Sequence, residues 1–102
     1  MDPQLLARLE RVLAAGIEIV PDTVVTTHYV FTRDGFAALV EKHEGAFGHI
    51  GAPGLVTEQG FAALIWRGDE AFFVGKNFEQ KADTAAVFAL RSFDRDLREA
   101  LS

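Results

Sequence analysis

The chain of 102 residues contains no cysteine, three prolines, and one each of methionine, tryptophan and tyrosine; its only serines are Ser92 and Ser102. Without cysteine there is no disulfide framework, no thiolate nucleophile and no zinc site built on sulfur ligands, a pattern that fits a reducing cytoplasm. The two serines fall in a C-terminal helical pattern and at the last position, which excludes a serine nucleophile on a strand-to-helix elbow. No cluster of basic residues occurs: ten Lys and Arg are spread singly from Arg8 to Arg98 against fifteen acids, for a formal charge of -5. That balance disfavours nucleic acid as a partner, because a phosphate backbone is repelled at long range. No apolar run approaches the roughly 18 residues of a membrane helix, and Met1-Asp2-Pro3 supplies neither the charged start nor the apolar centre of a signal peptide. A cytoplasmic location away from membranes is the resulting expectation.

What remains is 49% hydrophobic and 25% charged residues, ordinary for one soluble domain spanning 1–102. Asp2 and Pro3 suit an N-cap and a first helical position, Leu5, Leu6, Leu9, Val12 and Leu13 recur at three- and four-residue steps, and Gly16 is placed to end the helix. From Thr23 to Thr32 the residues turn β-branched and aromatic, and strand character continues to about Lys76. Ile17, Glu18 and Ile19 alternate and can add a strand ahead of Pro21. Asp83 can cap a second helix with Val87, Leu90, Phe93, Leu97 and Leu101 on one stripe and Phe88 beside it. The expected class is α+β: an N-terminal helix, an antiparallel β-meander of four to six strands, and a C-terminal amphipathic helix packed on the sheet. This order resembles that of several dimeric secretion chaperones and other small α+β modules, at the level of architecture and with no shared residue motif.

An internal repeat underlies the meander. Gly35-Phe36-Ala37-Ala38-Leu39-Val40 returns 25 positions later as Gly60-Phe61-Ala62-Ala63-Leu64-Ile65, with Thr32 and Thr57, Ala46 and Ala71, and Phe47 and Phe72 matching at the same offset. Two copies do not make a solenoid, and each is expected to build one hairpin unit of a common sheet. A helical reading of these Ala-rich segments is set aside because Asp34-Gly35 and Gly68-Asp69 are two-residue hairpin signals, with Gln59-Gly60 a weaker one.

Turns at those positions predict cross-strand partners. Around Asp34-Gly35, Arg33 pairs with Phe36, Phe31 with Ala38, Tyr29 with Val40 and His28 with Glu41. Val25, Tyr29, Phe31, Phe36, Ala38 and Val40 then form a core face, and Thr26, His28, Val30, Leu39, Glu41 and His43 the opposite one. Around Gly68-Asp69, Ile65, Phe72, Ala63 and Val74 are assigned to the core, leaving Leu64, Trp66, Phe73 and Ala71 on the other face. Two helices cannot cover both faces of such a sheet. Leu64, Trp66 and Phe73 therefore await either a helix that crosses over or a second copy of the chain.

Three features are candidates for chemistry. His28, Glu41 and His43 converge across the first hairpin, and two imidazoles with a carboxylate are a ligand set for zinc or a similar ion, with His49 nearby. No His-Glu-x-x-His signature accompanies them, no cofactor or metal is expected, and a half-exposed polar face with a pH-sensitive pair is the plainer reading. Gly45, Gly48, Gly51 and Gly54 recur every third residue, where bare backbone approaches an anion, yet the stretch matches no phosphate loop and reads as a connection between hairpins. Lys76 to Lys81 reads as a polar connector into the last helix, able to close over a ligand at the sheet edge with Lys76 or Lys81 meeting an anion. The nine Phe residues alternate with small apolar residues on strands and read as core rather than as a base-stacking platform.

The expectation for function is a non-catalytic protein-interaction or regulatory module that self-associates, with Leu64, Trp66 and Phe73 at the interface. The alternative is a small-molecule-binding protein or metal-assisted enzyme using His28, Glu41, His43 and His49, with Gly48 and Gly51 of the glycine stretch as one wall and Lys76 as a further ligand-binding candidate.

Overall fold

The computed structural model describes residues 3–20, 27–44 and 46–102. Asp2, Val25, Thr26 and Gly45, which the sequence places at a cap, on the two strand faces and in the glycine run, lie outside them. Helix α1 spans Pro3–Ala14 and ends at Gly16, whose positive φ of 75° is the left-handed conformation glycine adopts at low cost. The chain then leads through β1 (Glu18–Val20), β2 (His28–Arg33), β3 (Phe36–His43), β4 (Ala46–Ile50), β5 (Gly54–Thr57), β6 (Gly60–Arg67), β7 (Glu70–Gly75) and β8 (Phe78–Ala82) to α2 (Thr84–Leu101). Asp83 caps α2 as the sequence predicts, its carboxylate accepting from the Ala86 amide at 2.7 Å.

All pairings are antiparallel, in the order β1-β2-β3-β5-β6-β7-β8, with β4 also on β3. β4 and β5 both run against β3 and act as one strand broken at residues 51–53. The break carries register shifts: Lys42 faces Phe47, Val40 faces Ile50, and Phe36 faces Leu55. Both tight hairpins have the predicted partners, from His28 with Glu41 to Arg33 with Phe36, and from Ala63 with Val74 to Arg67 with Glu70.

Among the described residues the sheet has eight strands, more than the four to six expected. Two segments read as connectors account for the excess. Gly48 and Gly54 lie in strands because β3 is long enough to pair with β4 along one half and β5 along the other, so backbone bonds hold them without large side chains. Lys76 and Asn77 form a two-residue turn in which Asn77 takes a φ of 58°, and Phe78 to Ala82 then continue the ladder on β7.

The face assignment of the second hairpin is corrected. Phe36 pairs with Leu55 and Leu55 with Ala62, so Ala62, Leu64 and Trp66 share the helix-covered side with Phe36, Ala38 and Val40. Phe73, 2% exposed, is buried in the chain's own core, and Leu64 packs against it. The cause is the register between β3 and β5: Phe36 faces Leu55, and the two-residue turn Glu58-Gln59 sets Leu55 opposite Ala62, so Phe61 falls on the other side. The sequence repeat is therefore mounted with opposite facing: Phe36 points in and Phe61 points out.

Both helices lie on the Phe36 side. From α2, Val87, Leu90, Phe93, Leu97, Ala100 and Leu101 are buried, while Phe88 is 72% exposed. Only Val12 of α1 is fully buried, and Leu6 and Leu13 of the expected stripe are exposed. α1 is docked through its last turn, where Arg11 donates to the Ala100 and Ser102 carbonyls at the C-terminus of α2 at 3.0 and 2.9 Å.

Arg33 joins β2 to both helices. Its Nη1 donates to the Ala15 carbonyl at 2.9 Å and to Asp96 Oδ2 at 2.8 Å, and its guanidinium lies 5.8 Å from the Phe93 ring centroid. The hydrogen bond from Arg33, aided by Arg95, holds the Asp96 carboxyl below the usual carboxylate range. A depressed carboxyl stabilises the fold above the unfolded-state value near ~3.9 and loses that contribution as pH falls through its folded value. Asp96→Asn is expected to cost about 1 kcal/mol at pH 7 and to narrow its gap to the wild type below about pH 4, measured by urea unfolding at several pH values.

Candidate functional site

The side of the sheet away from the helices is apolar at its centre. Val20, Leu39, Val56, Phe61 and Ile65 project there, each between 40% and 51% exposed. Val30, Phe72 and Val74 occupy the intervening positions of the same face and are half-buried. Alternation puts them together: Val20 pairs with Val30, Val30 with Leu39, Val56 with Phe61, and Ile65 with Phe72. Phe61 lies across Gly54, where an added Cβ would strike its ring.

The margins of this face are charged. On the β8 side, Arg67 meets Glu79 at 2.7 Å and Lys81 meets Glu70 at 3.3 Å, with the Arg67 guanidinium 5.0 Å from the Phe72 ring centroid. Both ion pairs are exposed and contribute little to stability, but they also place charges beside the outermost strand, which discourages edge-to-edge pairing. The opposite margin carries His28 and Glu41 as direct partners, with His43 farther along β3.

Gly48 confirms that Glu41 and His43 are neighbours, since a Cβ there would come 3.2 Å from Glu41 Oε1 and 3.3 Å from His43 Cβ. His28 Nδ1 shares a 2.8 Å hydrogen bond with the Thr27 hydroxyl. Among the described residues, however, no three His, Asp or Glu side chains are grouped so as to hold a metal ion. His49 is exposed on β4, and Gly51 is occupied by a backbone bond, its amide donating to the Leu39 carbonyl at 2.8 Å. Lys76 sits in the β7–β8 turn. Antiparallel order puts that turn at the opposite end of the sheet from His28 and His43, so the structure does not unite the ligand-site candidates.

Of the three interface candidates, Trp66 alone stays open, at 49% exposure, and it does so on the helix side. Its ring lies under the Arg91 guanidinium at 5.5 Å, beside a groove of about 490 Å³ that also borders Phe88, Val87 and Ala82. The outward residues Val56, Phe61 and Ile65 escaped the sequence reading because their hydropathy is that of core strands. Only the pairing through β5 shows which way they point.

Among the described residues no helix is long and apolar enough to cross a membrane. Compared with protein-family models, with curated proteins and with solved structures, the chain matches none.

Proposed function

We propose that the protein is a non-catalytic interaction module that self-associates through the outward face of its sheet. The observation that carries this reading is the band formed by Leu39, Val56, Phe61 and Ile65, uncovered by either helix and flanked by charged residues. An apolar centre with a polar rim is the usual anatomy of a protein interface. A second copy is the occupant that needs no further surface: a two-fold axis lays the same face on itself, as two sheets pack about 10 Å apart in a sandwich. The rim contains both signs, Arg67 and Lys81 with Glu70 and Glu79, so an antiparallel overlay can set opposite charges against each other.

The test is native mass spectrometry with analytical ultracentrifugation of untagged protein. A dimer is expected for the wild type, and Phe61→Glu with Ile65→Glu is expected to yield a folded monomer, weakening association by at least about 100-fold. Trp66→Glu, on the helix side, is expected to remain dimeric. A wild type that stays monomeric at high concentration, or a dimer lost with Trp66→Glu and kept with Phe61→Glu, would overturn the proposal.

A further inference from the structure

Among the described residues β8 is an outermost strand and pairs only with β7. Lys76 and Asn77 form the two-residue turn between them, so the closing pair of Gly75 with Phe78 is a hydrogen-bonded one, and so are Phe73 with Gln80 and Ala71 with Ala82. Glu79 and Lys81 fall between those pairs. Their N–H and C=O groups therefore point away from β7, and no bond from a turn, loop or cap among the described residues reaches them. Glu79, Gln80 and Lys81 are all exposed.

The side chains of Glu79 and Lys81 carry opposite charge and stand on the outward face, one on each side of Gln80. There Glu79 meets Arg67 at 2.7 Å and Lys81 meets Glu70 at 3.3 Å. Charges on an edge strand discourage pairing with arbitrary strands, but the order of these two is self-complementary. An antiparallel copy of β8 centred on Gln80 sets Glu79 opposite Lys81 of the second copy, and Lys81 opposite its Glu79. At both positions the open backbone groups face each other and exchange hydrogen bonds in both directions. The nearest registers that keep such bonds are centred on Glu79 or on Lys81, and each sets like charges directly opposite on the axis, which is destabilising.

We infer that β8 is a second self-association surface, on which two copies of the chain pair edge to edge about a two-fold axis through Gln80 and continue one sheet into the other. Each Glu79–Lys81 position supplies main-chain bonds and an ion pair between the copies. The new ion pairs join those already present, so that charge alternates in sign from Arg67 through Glu79 to Lys81 and Glu70 of the second copy. On the helix side Phe78 comes opposite Ala82 of the other copy. The axis is perpendicular to the sheet, so both copies keep their helices on one side and their outward faces on the other. The edge contact is therefore separate from the outward face and does not depend on association there. It is short and polar, which places it among weak contacts formed at high concentration.

The test starts from the chain carrying Phe61→Glu and Ile65→Glu, whose outward face is disabled, and follows it by analytical ultracentrifugation up to roughly 1 mM, above the range in which it is monomeric. A monomer–dimer equilibrium is expected there, with hydrogen exchange slowed at the Glu79 and Lys81 amides as the dimer forms. In the wild-type chain the same protection, rising with concentration, reports the contact without any substitution. Adding Lys81→Glu, or separately Glu79→Lys, sets like charges opposite each other at both positions and is expected to weaken the edge dimer at least about tenfold. Mixing those two variants restores opposite charges at both positions, and a heterodimer resolved by native mass spectrometry is expected. Circular dichroism checks that each variant is folded. A parent chain that stays monomeric with unchanged exchange at Glu79 and Lys81 overturns the inference, as do single variants that associate as tightly as the parent or a mixture that forms no heterodimer. None of these outcomes bears on the outward face, whose own test compares Phe61→Glu and Ile65→Glu with the wild type at lower concentration.

Discussion

Phe93→Ala is expected to lower stability by about 3–5 kcal/mol, the cost of removing a large aromatic side chain from a site that cannot close over the gap. Phe93 has no solvent exposure and lies midway along α2, between Leu90 and Leu97 of the same buried stripe. Its ring also faces the Arg33 guanidinium, so truncation loosens the junction of β2, α1 and α2 as well as the hydrocarbon core. For a chain of this length the melting temperature should fall by more than about 12 °C. Phe88→Ala supplies the control on the same helix: 72% exposed, it should change stability by no more than about 0.5 kcal/mol. Thermal and urea unfolding of the two variants would check both values, and equal losses would contradict the packing of α2 described above.

Gly54→Val is the second large effect, and it acts on stability and on the proposed association together. An atom added at Gly54 collides with the Ala62 carbonyl oxygen and with the Phe61 ring, and Gly75 on the other side of the same segment leaves a Cβ only 2.8 Å from the Phe61 carbonyl oxygen. The start of β6 is thus held between two strands that approach more closely than side chains allow. Overfilling a packed site costs about 1–3 kcal/mol, and the upper end applies where backbone rather than a mobile side chain must move. Gly48→Ala, which meets the Glu41 carboxylate at 3.2 Å and the Cβ atoms of Glu41 and His43 at 3.3 Å but no backbone oxygen, should cost less than half as much. Because the Phe61 ring rests over Gly54, the proposed self-association should also be lost in the Gly54→Val protein under conditions where it stays folded. Urea midpoints and native mass spectra of the two glycine variants read the two effects separately.

Much of this architecture is legible in local chemistry. Asp34-Gly35 and Gly68-Asp69 specify two-residue turns, and a two-residue turn dictates every partner in its hairpin, so the pairing of His28 with Glu41 and of Leu64 with Phe73 follows from turn residues alone. The α2 stripe is legible for a similar reason: a helix spaces its side chains by a constant angle, and Asp83 marks where the count begins. Strands with little hydropathy signal were harder to see. Gly54–Thr57 and Phe78–Ala82 exist because neighbouring strands offer unpaired backbone, a property of β3 and β7 rather than of the segments themselves.

The candidate surfaces divide along the same line. The residues of the β6–β7 hairpin and their partners were determined by sequence; which of its two faces meets the helices was not, because both are apolar and alternation alone cannot rank them. The register that sets Phe36 of β3 opposite Leu55 of β5, and Leu55 opposite Ala62 of β6, decides it and turns Phe61 and Ile65 outward while burying Phe73. Likewise Pro53 is visible in the sequence as a residue without an amide hydrogen, but only the tertiary pairing places it opposite Leu64, at the end of the β5–β6 ladder. Periodicity and turn chemistry act over a few residues and determined the elements and their local registers; the stacking of strands distant along the chain decided which surfaces are left for a partner.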